Sequence, residues 1–203
     1  MRKIVSATFI SLDGVMQAPG GPDEDRSGGF DHGGWTAPFA DEAISESIAA
    51  SMAEPFDLLL GRRTYEIFAA YWPSIDDHPI ADSFNAATKY VVTNSDAELT
   101  WANSVALQGD VLAKLTTLKQ QDGPNLFVWG SSMLFPTLVA HDLLDEMTLF
   151  VYPVTLGTGK RLFGKGTAAC SFKLVSNQIS ATGVTINTYH PAGDVTTGTV
   201  ELD

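Results

Sequence analysis

Three short stretches carry the residues best suited to chemistry: Gly61-Arg62-Arg63-Thr64, Thr93-Asn94-Ser95 and Gly130-Ser131-Ser132. Each closes a short apolar run, at 56–60, 89–93 and 126–129. Such runs suit strands buried on both faces of a parallel sheet. Open α/β sheets bind ligands just beyond the carboxyl ends of their strands. Gly61 and Gly130 would let a ligand approach the backbone closely. The first and third stretches open helices, whose N-termini offer free N–H donors and partial positive charge to a phosphate. Arg62 and Arg63 add planar, permanently charged guanidinium groups. The pattern therefore predicts a site for a phosphate-bearing ligand. Two plainer readings compete with it. The arginines pair with helix carboxylates, or the Gly130-Ser131-Ser132 stretch is only a helix cap.

The elements that would position these residues follow from periodicity and punctuation. Residues 4–10 read as a strand. Residues 41–54 read as a helix, with Ile44, Ile48 and Met52 every four residues and Pro55 closing it. Strands are expected at 56–60, 89–93, 104–107 and 126–129, and a helix at 64–72. Asp110 caps a further helix with Val111, Leu115 and Leu118 on one face. Residues 131–140 read as a short helix with Pro136 near its start, because a proline deeper inside would break it. A long strand at 146–156 and alternating strands at 172–176 and 184–189 complete the chain. The fold class is therefore α/β: a mostly parallel central sheet, flanking helices and a C-terminal antiparallel hairpin. Residues 1–190 form one domain, with 191–203 a polar tail or an edge strand. Residues 18–34 hold six glycines and the acidic cluster Asp23-Glu24-Asp25. A loop this long is a lid or binding loop, or is disordered.

Composition removes several function classes. The 203 residues carry 12 Lys+Arg against 24 Asp+Glu, a net charge of −12. That balance repels phosphate backbones and anionic bilayers, so no nucleic acid and no membrane is expected as a partner. Cys170 is the single cysteine, which excludes a disulfide scaffold and a multi-cysteine zinc site. The four histidines are scattered, and no metal site is predicted. Gly157-Thr158-Gly159-Lys160-Arg161 lacks the first glycine and the Ser/Thr of a phosphate-binding P-loop. No serine-nucleophile elbow surrounds Ser131 or Ser132. The first residues are short and broken by Ser and Thr, unlike a signal peptide, and no apolar run approaches about 18 residues. A cytoplasmic protein is expected.

In order along the chain, five segments resemble the dihydrofolate reductase-like superfamily. They are Ser11-Leu12-Asp13-Gly14, Leu60-Gly61-Arg62-Arg63-Thr64-Tyr65-Glu66, Val91-Val92-Thr93-Asn94, Val128-Trp129-Gly130-Ser131-Ser132, and Leu149–Val154 leading to Gly157–Phe163. The sequence is more closely similar to the family containing the reductase half of the bifunctional riboflavin-pathway deaminase-reductases. The resemblance spans roughly residues 1–190. It implies an NADPH-dependent reductase that passes a hydride to a C=N or C=O carbon of a small heterocyclic or ribosyl substrate. The model reaction would be reduction of 5-amino-6-(5-phosphoribosylamino)uracil. Alternatives are a pterin reductase and a non-catalytic nucleotide-binding protein on the same fold. The zinc deaminase signature of the bifunctional enzymes is absent.

By position, the resemblance gives Gly61, Arg62, Arg63 and Thr64 to the cofactor phosphates and Thr93, Asn94 and Ser95 to the adenosine end. Trp129, Gly130, Ser131 and Ser132 fall to the pyrophosphate. In dihydrofolate reductases this last turn is Gly-Gly with a cis peptide; here it is Gly130-Ser131, where a cis bond costs about 3 kcal/mol. The resemblance places Asp13 against nicotinamide and substrate as a hydrogen-bonding or proton-donating group. Otherwise it forms an Asx turn before Gly14. Asp41 is either a helix N-cap or a substrate carboxylate. Trp35 and Tyr65, with Tyr71 and Trp72, either stack on a flat ring or belong to the core. A homodimer is implied as well.

Overall fold

Alternation and turn chemistry dictate where the backbone goes, and the computed structural model, which describes residues 1–200, follows them closely. The strands are β1 (Ile4–Ser11), β2 (Phe56–Gly61), β3 (Lys89–Val92), β4 (Ser104–Leu107), β5 (Asn125–Trp129), β6 (Glu146–Tyr152), β7 (Phe172–Ile179) and β8 (Thr185–Pro191). The helices are α1 (Glu42–Ser51), α2 (Arg62–Tyr71), α3 (Pro79–Ala86), α4 (Val111–Gln120) and α5 (Phe135–Ala140). One eight-stranded sheet runs in the order β4-β3-β2-β5-β1-β6-β8-β7. β1 to β6 are mutually parallel, while β8 runs antiparallel to both β6 and β7.

The central strands are buried on both faces, which explains their unbroken apolar runs. Leu58 and Leu60 face α1, α2 and α3 through Ile44, Tyr65, Phe68 and Phe84. Leu59 faces the opposite layer, packing with Leu115, Leu118, Phe135 and Leu138 of α4 and α5. Asp41 and Asp110 cap α1 and α4, each accepting a bond from a backbone N–H of the first turn.

Several boundaries differ from the sequence expectation. β6 stops at Tyr152, because Pro153 has no N–H to donate and the Val154 N–H turns back to the Tyr152 carbonyl. α5 begins at Phe135, not at 131, because Ser131 sits at φ 67° and a turn precedes the helix. The helix α3 was not expected from the sequence. Residues 18–34 fold back on themselves: the Gly34 N–H reaches the Ala18 carbonyl, and the Trp35 Nε1–H reaches the Gln17 carbonyl at 2.8 Å. A side chain at Gly33 would meet the Gly21 carbonyl oxygen at 2.6 Å, so the two limbs of the loop touch. After β8 the described residues add no further strand. Ala192 and Gly193 bond Ser171 instead, and residues 201–203 lie outside the described residues.

Candidate functional site

At the carboxyl ends of β1, β2, β3 and β5 the sheet opens into a cavity of about 560 Å³. That size suits a cofactor or a drug-sized molecule. β1 brings Ala7, Thr8 and Phe9 to its wall, and β2 with α2 brings Gly61, Arg62, Arg63 and Thr64. β3 contributes Thr93 and Asn94, while β5 and its turn contribute Trp129, Gly130, Ser131 and Ser132. The folded loop closes one side with Gln17, Ala18, Glu24 and Asp25, joined by Lys160.

The turns after β2 and β5 are stapled together by one hydroxyl. Ser131 Oγ accepts the Gly61 N–H at 2.9 Å and donates to Thr64 Oγ1 at 3.1 Å. Gly130 and Ser131 both lie in the left-handed region, at φ 77° and 67°, which turns the serine back toward Gly61. No peptide bond among the described residues is cis. Gly61 is the N-cap of α2 and has no side-chain capping bond, so the first amides of α2 remain available to a ligand. Thr93 Oγ1 accepts the Ser95 N–H at 3.0 Å and shapes the turn after β3. Thr8 is 3% exposed on the cavity wall, and its hydroxyl has no hydrogen-bond partner among the described residues. A buried polar group left unpaired is costly, and a ligand can supply its partner.

Both arginines already hold bonds. Arg62 donates to Glu66 at 2.8 Å and to the Ala97 carbonyl at 2.9 Å. Arg63 donates to Asp25 at 3.1 Å, and Lys160 donates to the other oxygen of Asp25 at 2.6 Å. Burial opposes charge on Asp25. The bonds from Lys160, Ser27 and Arg63 outweigh it and hold the carboxyl well below the usual carboxylate range. Glu24 moves the other way. Burial lifts its carboxyl above the ordinary value although the Gly20 and Gly21 amides donate to it.

The remaining expected site residues lie elsewhere. Asp13 does not line the cavity. Its carboxylate accepts from Ser11 Oγ at 2.6 Å and from the Leu156 and Gly157 amides at 3.1 and 2.8 Å, and Arg161 lies 3.4 Å away. The Ser11 hydroxyl, helped by the two amides, lowers it to about 2, so it carries no proton to give near neutrality. Asp13 thus ties the turn after β1 to the segment after β6. Asp41 is the α1 N-cap, accepting the Ala43 N–H at 2.7 Å, and does not line the cavity. Trp35 is 7% exposed and packs edge-on against Tyr152. Tyr65 is 2% exposed, and its hydroxyl accepts the Trp101 N–H. Both aromatics belong to the core, where apolar area is best hidden, and neither lines the cavity. Ser95 does not line the cavity, and its hydroxyl accepts the Ala97 N–H.

Gln17, Glu24, Asp25, Thr8 and Lys160 line the cavity without having been singled out. Only the acidic cluster at 23–25 and the Lys160 turn stood out in the sequence, as composition and as a failed motif. Among the described residues no group of three or more His, Cys, Asp or Glu converges as a metal cage, and no helix is long and apolar enough to cross a membrane.

A mostly parallel α/β sheet with antiparallel C-terminal strands, opening at its strand ends between glycine turns, is a dihydrofolate reductase-like fold. The chain belongs to the RibD C-terminal domain family, which matches residues 2–186. It is 29% identical to the uncharacterized protein YwjB of Bacillus subtilis (strain 168) over 179 residues, covering 85% of this chain and 89% of that one. Its fold is similar to that of a protein from Shewanella sp. PV-4 assigned to riboflavin biosynthesis. That match has a TM-score of 0.66 and 20% identity, over 94% of this chain and 99% of the other. It also resembles the dihydrofolate reductase of Enterococcus faecalis, solved with NADP(H), with a TM-score of 0.58 and 15% identity over 93% and 96% of the two chains.

Proposed function

We propose that this chain is an NADPH-dependent reductase acting on a C=N or C=O carbon of a small heterocyclic or ribosyl substrate. The observation that carries the reading is the staple: one buried hydroxyl, Ser131 Oγ, locks the two glycine turns into one wall beside the uncapped start of α2. Family membership supports a reductase of the riboflavin-pathway type, and the NADP(H) in the similar dihydrofolate reductase supports the cofactor.

The residues present fit such a cofactor. Amides at the start of α2 and the Gly130 turn would hold a diphosphate, with Arg62 and Arg63 adding charge. Thr93 and Asn94 would face the adenosine end. Thr8, whose buried hydroxyl lacks a partner, would bond a polar edge of the nicotinamide or of the substrate. When bound, NADPH supplies the hydride. The chain's own residues position two reactants and exclude water, which contributes several kcal/mol to lowering the barrier. Asp13 holds the β1 turn, and the proton comes from water. A homodimer in the cytoplasm is the expected assembly.

The test is a titration with NADPH and NADH, read by tryptophan fluorescence because Trp129 lines the cavity. NADPH oxidation is then measured with dihydrofolate and with the ribosylaminouracil phosphate as oxidants. NADPH should quench more tightly than NADH. Absence of quenching by either dinucleotide would overturn the reductase reading.

A further inference from the structure

Asp25 is the one carboxylate on the cavity wall that bonds two cations from two other segments. Its side chain is 6% exposed, whereas those of Arg63 and Lys160 are 56% and 40% exposed. The carboxylate is therefore the buried member, and the cations reach in to it. Its position does not depend on Arg63 alone. Gln17 Nε2 donates to the Asp25 and Ser27 carbonyls, and the Lys160 N–H donates to Gln17 Oε1. The Ser27 N–H also donates to Asp25 Oδ1, the oxygen that takes Arg63. Losing Arg63 would thus leave Asp25 seated on Lys160. An anion between an arginine and a lysine, on the same wall as the uncapped start of α2, has the charge and the place of a phosphoryl group.

We propose that Asp25 is a specificity-determining residue: its carboxylate and a phosphoryl group of the ligand compete for Arg63. The inference rests on the reading of the cavity as a phosphate-bearing ligand's site. A singly charged carboxylate is a weaker partner for a guanidinium fork than a multiply charged phosphoryl group. Asp25 therefore yields Arg63 to a diphosphate or a phosphate monoester but not to an uncharged nucleoside. Lys160 keeps the loop in place during the exchange. The competition lowers affinity for every phosphoryl ligand and penalises weakly charged ones most.

The experiment measures binding of inorganic pyrophosphate and of adenosine 2′,5′-bisphosphate by calorimetry. The two probes distinguish a bridging diphosphate from a 2′-phosphate as the group that takes Arg63. Asp25→Asn should tighten at least one probe by about tenfold, while Asp25→Glu stays near wild type. The gain should vanish in an Arg63→Gln background. Because Asn also leaves Lys160 without its carboxylate, the comparison is repeated in a Lys160→Gln background, where Arg63 is the one cation that Asp25→Asn releases. Equal or weaker binding by Asp25→Asn, with Arg63→Gln still weakening the probes, would overturn the competition and leave the phosphate site standing. No binding of either probe to any form would overturn the phosphate reading and the competition with it.

Discussion

Replacing Ser131 with alanine removes a hydroxyl that accepts one bond and donates another between the turns after β2 and β5. Ser131 is 7% exposed, so water replaces that hydroxyl poorly, and the Gly61 N–H is left without its acceptor. An unsatisfied buried donor costs about 1–3 kcal/mol. For a chain of this size each kcal/mol moves the melting temperature by about 2–4 °C, so Ser131→Ala should lower it by roughly 2–12 °C. Glycine at the same position should cost less, because it loses the hydroxyl but relieves a φ of 67°. Thr64→Val removes only the acceptor of the Ser131 hydroxyl and should cost about 1 kcal/mol, the worth of one ordinary bond. Calorimetric melting of the three variants checks the order Ala > Gly and Ala > Val in destabilisation. NADPH titration of the same proteins should show the alanine variant binding more weakly. A melting temperature of Ser131→Ala within about 1 °C of wild type would refute the staple as the device that joins the turns.

Three further outcomes follow from other residues. Asp13 is lowered from 3.8 to about 2, so its contribution to stability is present above about pH 4 and is lost as pH falls toward 2. Acid titration should show that loss in wild type and not in Asp13→Asn. Lys89 is fully buried, with its ammonium 4.3 Å from the Trp101 ring centre, and burial lowers it from 10.5 to about 8. Between those values the unfolded chain binds the proton that the folded chain has released, so stability should rise with pH from about 8 to 10.5. Lys89→Met should flatten that rise in denaturant melts at stepped pH. Gly159 sits at φ 116°, and a Cβ there would stand 2.7 Å from Val15 and 3.0 Å from Phe30. Gly159→Ala should cost roughly 2–5 kcal/mol from strain and overpacking together, measured by urea unfolding.

Much of the sheet was legible because its central strands are hidden on both faces. The runs at Leu58–Leu60 and Leu126–Val128 contain no polar residue to blur the reading. α3 escaped notice because only Ala81 and Phe84 of its residues are buried, and Pro79 at its start reads as a breaker. The glycine turns of the site were legible as strand-end punctuation, and Gly61, Gly130 and the residues after them do meet at one cavity. Asp25 was not, because its value lies in partners 38 and 135 residues away. The anchoring role of Asp13 was hidden for a related reason. Its motif is local, but the amides that fix its carboxylate come from more than 140 residues downstream. Trp35 and Tyr65 show the limit of residue type alone, since an aromatic ring serves a core as readily as a ligand.

The cations on the cavity wall stand against a molecule of net charge −12. Arg62, Arg63 and Lys160, each shared with Glu66 or Asp25, are short-range cationic donors inside a negative far field. An incoming anion is repelled at long range and attracted only within the last few ångströms. At low ionic strength the far field reaches tens of ångströms, and at about 0.15 M salt it is cut to about 8 Å. Moderate salt should therefore speed capture of an anionic ligand before higher salt loosens the bound state. That is the reverse of the steering seen where enzyme and ligand carry opposite net charges.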